Sequence, residues 1–202
     1  MTMLAEKSTR ALDERALSVL FQEARSANGY LPQPIAHETL ERLVELTELG
    51  PTAMNALPLR VVLVASDEAR ERLKAAVMPG NAAKVESAPV TAILARDLQF
   101  HEHLPRLFPH APQPYFDAAR ERAEQMSLQN ATLQAGYFII AARALGLDAG
   151  PMGGFDAAAV DREFFPGGSC KSILLVGLGY GDDAKLFPRN PRLSFAEVAS
   201  IV

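Results

Sequence analysis

The sequence predicts an α/β or α+β fold around a modest sheet, and three observations carry that prediction. Short β-branched and aliphatic runs at Arg60–Ala65 (RVVLVA), Val90–Ala95 (VTAILA) and Lys171–Leu178 (KSILLVGL) have the length and composition of buried strands. Between these runs, apolar residues recur at helical spacing. The chain has 202 residues, is 49% hydrophobic and shows no internal repeat or linker, which suits one domain over 1–202.

Taken in order, a first helix is expected over Asp13–Asn28, where Ala16, Leu17, Leu20, Phe21 and Ala24 share a face. At its end, Arg25, Ser26 and Asn28 bring a guanidinium, a hydroxyl and an amide together, a set that either holds a phosphate or is an ordinary polar helix end. A second helix is expected over Pro34–Gly50, with Leu40, Leu43, Val44 and Leu46 inward, and Gly50-Pro51 stops it. The two-proline loop Pro51–Pro58 leads into the first strand. A helix over Ser66–Val77 follows, capped by Ser66 or Asp67. Asn81 and Lys84, three residues apart, can share a helical face and reach one ligand, or can simply begin a solvated helix.

Residues 99–116 hold His101, His103 and His110 among Pro105, Pro109, Pro112 and Pro114, with Phe100, Phe108, Tyr115 and Phe116. This reads as a lid over a pocket; no spaced ligand set supports a metal, and none is expected. One or two long helices are expected over Phe116–Leu145, with Leu128–Ala144 apolar nearly all round and therefore buried. Gly146 ends that pattern, and Gly150-Pro151-Met152-Gly153-Gly154 reads as a glycine-rich turn whose backbone N–H groups can approach a flat ligand, or as a plain connector. A short helix over Asp156–Phe165 precedes the third strand. The extension 179–202 carries Arg189 and Arg192, which bind an anion or face solvent, and a last helical pattern at Ser194–Val202.

Composition narrows the function classes. A net charge of -4 with scattered Lys and Arg argues against nucleic acid. Cys170 alone makes no intrachain disulfide framework, nothing over Met1–Leu20 reads as an export signal, and no apolar run is long enough for a membrane span, so a cytoplasmic protein without a membrane partner is expected. The chain lacks the Gly-x-Gly-x-x-Gly dinucleotide fingerprint, the Gly-Lys phosphate loop and the Gly-x-Ser-x-Gly nucleophile elbow. What remains is a set of amide, hydroxyl and cationic residues on several separated segments, each beside a turn. Such a distribution suits one large, flat, anionic cofactor.

The order Arg25-Ser26-x-Asn28, Pro51-Thr52-x-x-Asn55, Asn81-x-x-Lys84, Leu145-Gly146-Leu147-Asp148-x-Gly150-Pro151-Met152-Gly153-Gly154-Phe155-Asp156 and Arg192 resembles the FMN-dependent nitroreductase superfamily, from about Leu20 to the end. The motifs are most similar to those of the malonic semialdehyde reductase subfamily of the Rut pyrimidine-degradation pathway. The resemblance implies an α+β nitroreductase-like fold, with a mainly antiparallel sheet flanked by helices, in an entwined homodimer with FMN at the interface. It implies that Arg25, Ser26, Asn28 and Arg192 hold the phosphate and ribityl chain, and that Asn81 and Lys84 lie against the pyrimidine side of the ring. Pro51, Thr52 and Ala53 would come from the partner subunit, and Gly153 and Gly154 would offer backbone N–H to the flavin. Asn55, Pro151, Met152 and Arg189 complete the expected cofactor-binding set.

NAD(P)H is the implied hydride donor, and the role implied for Lys84 or Arg192 near the ring is to stabilise negative charge on the reduced flavin rather than to do chemistry. The implied activity is reduction of malonic semialdehyde; the alternatives are a nitroaromatic or quinone reductase and a flavin-binding dimer without turnover. Two departures stand out: many relatives place basic residues where this chain has Ala24 and Asn28, and many place Glu where it has Gly153.

Overall fold

The computed structural model describes residues 11–202; Met1–Arg10, part of the stretch in which no export signal is read, lie outside the described residues. Strands β1 (Leu59–Val64), β2 (Val90–Asp97), β3 (Asp148–Met152) and β4 (Cys170–Gly179) form one sheet in the order β1-β2-β4-β3. Every neighbouring pair is antiparallel, so the fold is α+β.

The helices are α1 (Glu14–Leu17), continued by a π-helical turn at Ser18–Gln22, then α2 (His37–Glu48), α3 (Asp67–Lys74) and α4 (Pro79–Ser87). They are followed by α5 (Leu104–Leu107), α6 (Gln113–Glu121), α7 (Ala123–Ala144), α8 (Ala157–Phe164) and α9 (Phe195–Val198).

The period-two geometry of a strand sends neighbouring residues to opposite faces, and here each face has its own core. On one face, Ala92, Leu94, Val176 and Leu178 meet Leu43 of α2 and Phe138 and Ala142 of α7. On the other, Ile93, Leu175 and Met152 meet Leu73 of α3, Val85 of α4 and Val160 of α8. A sheet covered on both faces explains why β2 reads as a nearly unbroken apolar run.

Helix α7 departs from the expectation of a fully buried helix. Its inner side is Phe138 with Ala131, Ala135, Ala141 and Ala142, and the small alanine side chains let the helix lie close to the sheet. Its outer side leaves Leu128, Leu133 and Tyr137 between 44% and 49% exposed. Two buried amides interrupt the inner side and organise the loop before β1. Asn130 Oδ1 accepts from Ala53 N at 2.7 Å, and Gln134 Oε1 accepts from Leu59 N at 3.0 Å while its Nε2 donates to Glu48 at 3.2 Å. A buried backbone N–H must find a partner, and these side chains supply it.

Strand β3 replaces the glycine-rich turn read at Gly150–Met152. Its glycine and proline are poor strand formers, but the position tolerates both. Ala149 O accepts from Ala27 N at 3.2 Å, so the odd-numbered residues point to the free edge of the sheet, where Pro151 forfeits no ladder bond. Gly150 is needed because Tyr30 lies across it: a Cβ there would sit 2.5 Å from Ala27 O and 2.6 Å from Tyr30 Oη. A Cβ on Gly177, its partner in β4, would likewise sit 2.6 Å from the same Oη. Positive φ occurs instead at Gly146, which ends α7 as expected.

The first helix stops at Gln22 rather than Asn28, and the chain then runs irregularly along the free edge of β3. In 99–116, Phe100 and Leu104 are fully buried beside Ala56 and Ala119, anchoring that region at its base. The terminal helical pattern amounts to one turn, α9, with a capping box between Ser194 and Glu197. Among the described residues no helix is long and apolar enough to cross a membrane.

Candidate functional site

The irregular segment after α1 and the chain beyond β4 meet in a cleft of about 260 Å³ lined by Arg25, Ser26 and Asn28 on one side and Phe187, Arg189 and Arg192 on the other. Their meeting is held by reciprocal bonds. Arg25 donates to Phe187 O, and Arg189 Nη2 donates to Gln22 O at 2.6 Å and Ala24 O at 3.0 Å. Arg192 donates to Asn190 O and Pro191 O at 2.9 and 3.1 Å. Each guanidinium has five N–H donors, so one or two carbonyl contacts leave capacity for an anion. The structure thus brings together Arg25, Ser26, Asn28 and Arg192, the four residues that the resemblance places at the phosphate and ribityl chain, and sets Arg189 beside them.

Arg143, at the end of α7, lines the same cleft and went unnoticed in the sequence. Its Nη1 donates to Leu20 O at 2.9 Å, and its Nε is buried without a partner. Burial pushes its pKa down; the carboxylate of Asp148 opposes that shift and the charge of Arg189 adds to it. A charged residue closing the apolar C-terminal half of the helix was the available signal.

From this cleft, β3 leads along the sheet edge to Gly153 and Gly154. Its five residues span about 13 Å at about 3.3 Å per step. Gly154 O accepts from Met78 N and from Asn81 Nδ2, both at 3.0 Å, which places the N-terminal turn of α4 against the glycine pair. Neither Gly153 N–H nor Gly154 N–H is hydrogen-bonded within the chain among the described residues. A Cβ on Gly153 would meet nothing within 4 Å, whereas one on Gly154 would sit 2.9 Å from Asn81 Nδ2. Lys84 lies one turn beyond Asn81, half-buried, its ammonium without an ion pair or hydrogen bond among the described residues. Two free backbone donors, open space beside them and a nearby cation form a surface that a flat ring with hydrogen-bond acceptors can occupy. Met152 is 2% exposed with its side chain in the core, leaving its backbone on this surface.

Pro51, Thr52, Ala53 and Asn55 lie elsewhere. They precede β1, the opposite edge strand from β3. Ala53 is tied to Asn130 of α7, Thr52 Oγ1 accepts from Leu57 N at 3.2 Å, and Asn55 Nδ2 donates to Leu107 O at 3.0 Å. Met54, Asn55 and Leu57 adopt positive φ, so the loop is held in a conformation that its own contacts must stabilise. Across the sheet, this loop and the cleft do not form one site within a single chain.

Tyr30 supports the cleft from behind. It is 5% exposed, wedged over Gly150, Gly177 and Gly179, and burial together with the nearby Asp148 carboxylate pushes its phenol pKa well above the ordinary value. Among the described residues, no group of three or more His, Cys, Asp or Glu side chains is gathered as a metal site requires.

The sequence profile of the Nitroreductase family matches residues 22–180. A Stenotrophomonas maltophilia protein, provisionally assigned as an NADH dehydrogenase/NAD(P)H nitroreductase, is 53% identical over 194 residues, covering 96% of this chain and 99% of the relative. Among solved structures, a Bacillus subtilis protein assigned to the nitroreductases aligns with a TM-score of 0.81 at 25% identity, over 94% of this chain and 100% of that one. An Exiguobacterium sibiricum protein of the same assignment, solved in complex with FMN, aligns with a TM-score of 0.80 at 20% identity, over 95% of this chain and 98% of that one.

Proposed function

The chain belongs to the nitroreductase family, and on that premise we propose that it is an FMN-dependent oxidoreductase using NAD(P)H, working in the cytoplasm as a homodimer. The observation that carries the proposal is the pairing of the arginine-lined cleft with, beyond the far end of β3, the N–H groups of Gly153 and Gly154, which are unpaired among the described residues. One end suits a phosphate and the other a ring that accepts hydrogen bonds. When bound there, FMN supplies the hydride chemistry between NAD(P)H and the second substrate.

The residues of the chain bind, orient and polarise. Arg25, Ser26, Asn28, Arg189 and Arg192 hold the phosphate end by charge-assisted hydrogen bonds. Gly153 and Gly154 donate from the backbone, and only glycine at 154 leaves room for Asn81 against its carbonyl. Lys84 places an unpaired positive charge beside the ring and stabilises negative charge that develops there.

A second copy completes the site in this reading. Pro51, Thr52, Ala53 and Asn55, held at the far edge of the sheet, reach the flavin of the partner rather than their own. The apolar outer side of α7 supports this arrangement: with Phe21 of the π-helical turn, Leu133, Tyr137 and Ile140 line an open apolar groove. Tail residues Phe187, Leu193 and Phe195 are between 65% and 70% exposed in the single chain. Apolar surface of this extent marks an interface.

For the acceptor we propose malonic semialdehyde, on the run of motifs shared with that reductase subfamily. A nitroaromatic or quinone is the second reading, favoured by Gly153: with no side chain there, position 153 contributes no acid to protonate an aldehyde oxygen, and nitro compounds and quinones place less demand on one. The test is to purify the protein, measure its mass in solution and its flavin content, and compare malonic semialdehyde, a nitroaromatic and a quinone as oxidants of the reduced protein. Fast reoxidation by the semialdehyde alone supports the first acceptor; fast reoxidation by the other two, without it, supports the second. A monomer without affinity for FMN contradicts the whole reading.

A further inference from the structure

The cleft carries more charge than the sequence motif accounts for. Arg25 is the one cation of the segment Ala24–Asn28. Arg143, Arg189 and Arg192 arrive from distant parts of the chain, and none of the four arginines is in an ion pair among the described residues. Arg143 is the one presented by the sheet-packed helix α7 rather than by a loop or the tail. Its bond to Leu20 O fixes one arm of the guanidinium, and its buried Nε has no acceptor among the described residues. The nearest opposing charge, Asp148, is already engaged with Gly181 N at 2.7 Å. A half-buried guanidinium with a buried, unsatisfied donor, facing a cleft of unpaired cations, is short of an anion.

We propose that Arg143 is a phosphate-binding residue of this cleft, supplying from the end of α7 the cationic contact that Ala24 and Asn28 do not. The inference rests on the FMN reading above and assigns to that site a residue outside its sequence motifs. Because α7 also packs on the sheet through Phe138, Ala141 and Ala142, the guanidinium is presented by a rigid element, so little ordering cost opposes the contact. Arg25 and Arg189 are tied to carbonyls that join the tail to the α1 end, and their first task is to close the cleft, while Arg192 bonds only to carbonyls of its own neighbours in the tail.

The test compares FMN with riboflavin, which shares the ring and ribityl chain but lacks the phosphate. In the wild-type protein FMN binds more tightly than riboflavin. Arg143→Met is expected to weaken FMN roughly 10- to 100-fold, as loss of a charge-assisted contact does, while riboflavin changes by less than about twofold. Arg143→Lys is expected to recover part of the FMN affinity. Equal losses for FMN and riboflavin would assign Arg143 a structural role and overturn the proposal, as would no change for either. Should wild-type protein bind neither flavin, the cofactor reading fails, and inorganic phosphate decides the matter. Thermal stabilisation of the wild type that Arg143→Met abolishes supports the assignment, and equal or absent stabilisation in both proteins overturns it.

Discussion

Gly153→Val separates the site from the scaffold. Gly153 is exposed, its φ is not positive, and a Cβ built on it meets nothing within 4 Å, so the free protein has space for the branched side chain. A surface substitution of this kind changes stability by about 0.5 kcal/mol or less, which for a chain of this length is about 1–2 °C in Tm. Valine fills the open space beside the two unpaired N–H groups, where the ring is proposed to lie. Losing two neutral hydrogen bonds at about 1 kcal/mol each weakens binding by about 2 kcal/mol, or roughly 30-fold in Kd. The assay pairs the melting temperature of the apoprotein with an FMN titration followed by flavin fluorescence. An unchanged melting temperature with FMN affinity down by an order of magnitude or more is the expected result. Unchanged FMN affinity would refute the reasoning, because the ring would then lie elsewhere.

Gly150→Ala should do the opposite and act on the fold. Its Cβ would collide with Ala27 O and Tyr30 Oη, and overpacking of this kind costs about 1–3 kcal/mol, to be read as a drop in Tm of several degrees. Lys84→Ala should leave FMN bound but slow its reduction in a single-turnover experiment with NAD(P)H, and unchanged half-reaction kinetics would remove the electrostatic role. Gln134→Leu leaves Leu59 N–H buried without an acceptor and should destabilise by about 1–3 kcal/mol in a denaturant titration. Glu48, half-buried, has its carboxyl pKa raised by burial, against the lowering influence of Arg60 and the hydrogen bond from Gln134. The folded state therefore holds this proton to higher pH than the unfolded chain, so the contribution of Glu48 to stability falls as pH rises from the ordinary carboxylate range through the folded value. Glu48→Gln should gain in Tm relative to wild type across that window; a difference in Tm that stays constant with pH would contradict the assignment.

Much of this architecture is readable from periodicity. The runs at Arg60, Val90 and Lys171 are strands because both faces of the sheet are covered, and the helices between them follow their apolar spacing. Strand β3 escapes because Gly150 and Pro151 contradict strand propensity, and their reasons lie elsewhere in the chain: Tyr30 comes from more than a hundred residues away, and the free edge exists only once the sheet is assembled. The outer side of α7 escapes for a related reason, since in the sequence an exposed apolar residue looks the same as one in the core. Arg25, Ser26 and Asn28 are legible as a cluster because they are adjacent. Arg143 is not, because only the fold carries it to them.

The central claim is tested most directly by adding FMN to the purified protein, removing free flavin and titrating with NADH or NADPH under anaerobic conditions. The account predicts a yellow protein whose flavin absorbance is bleached by about one equivalent of reductant. Failure to retain FMN, or a yellow protein that neither nucleotide bleaches, would contradict it.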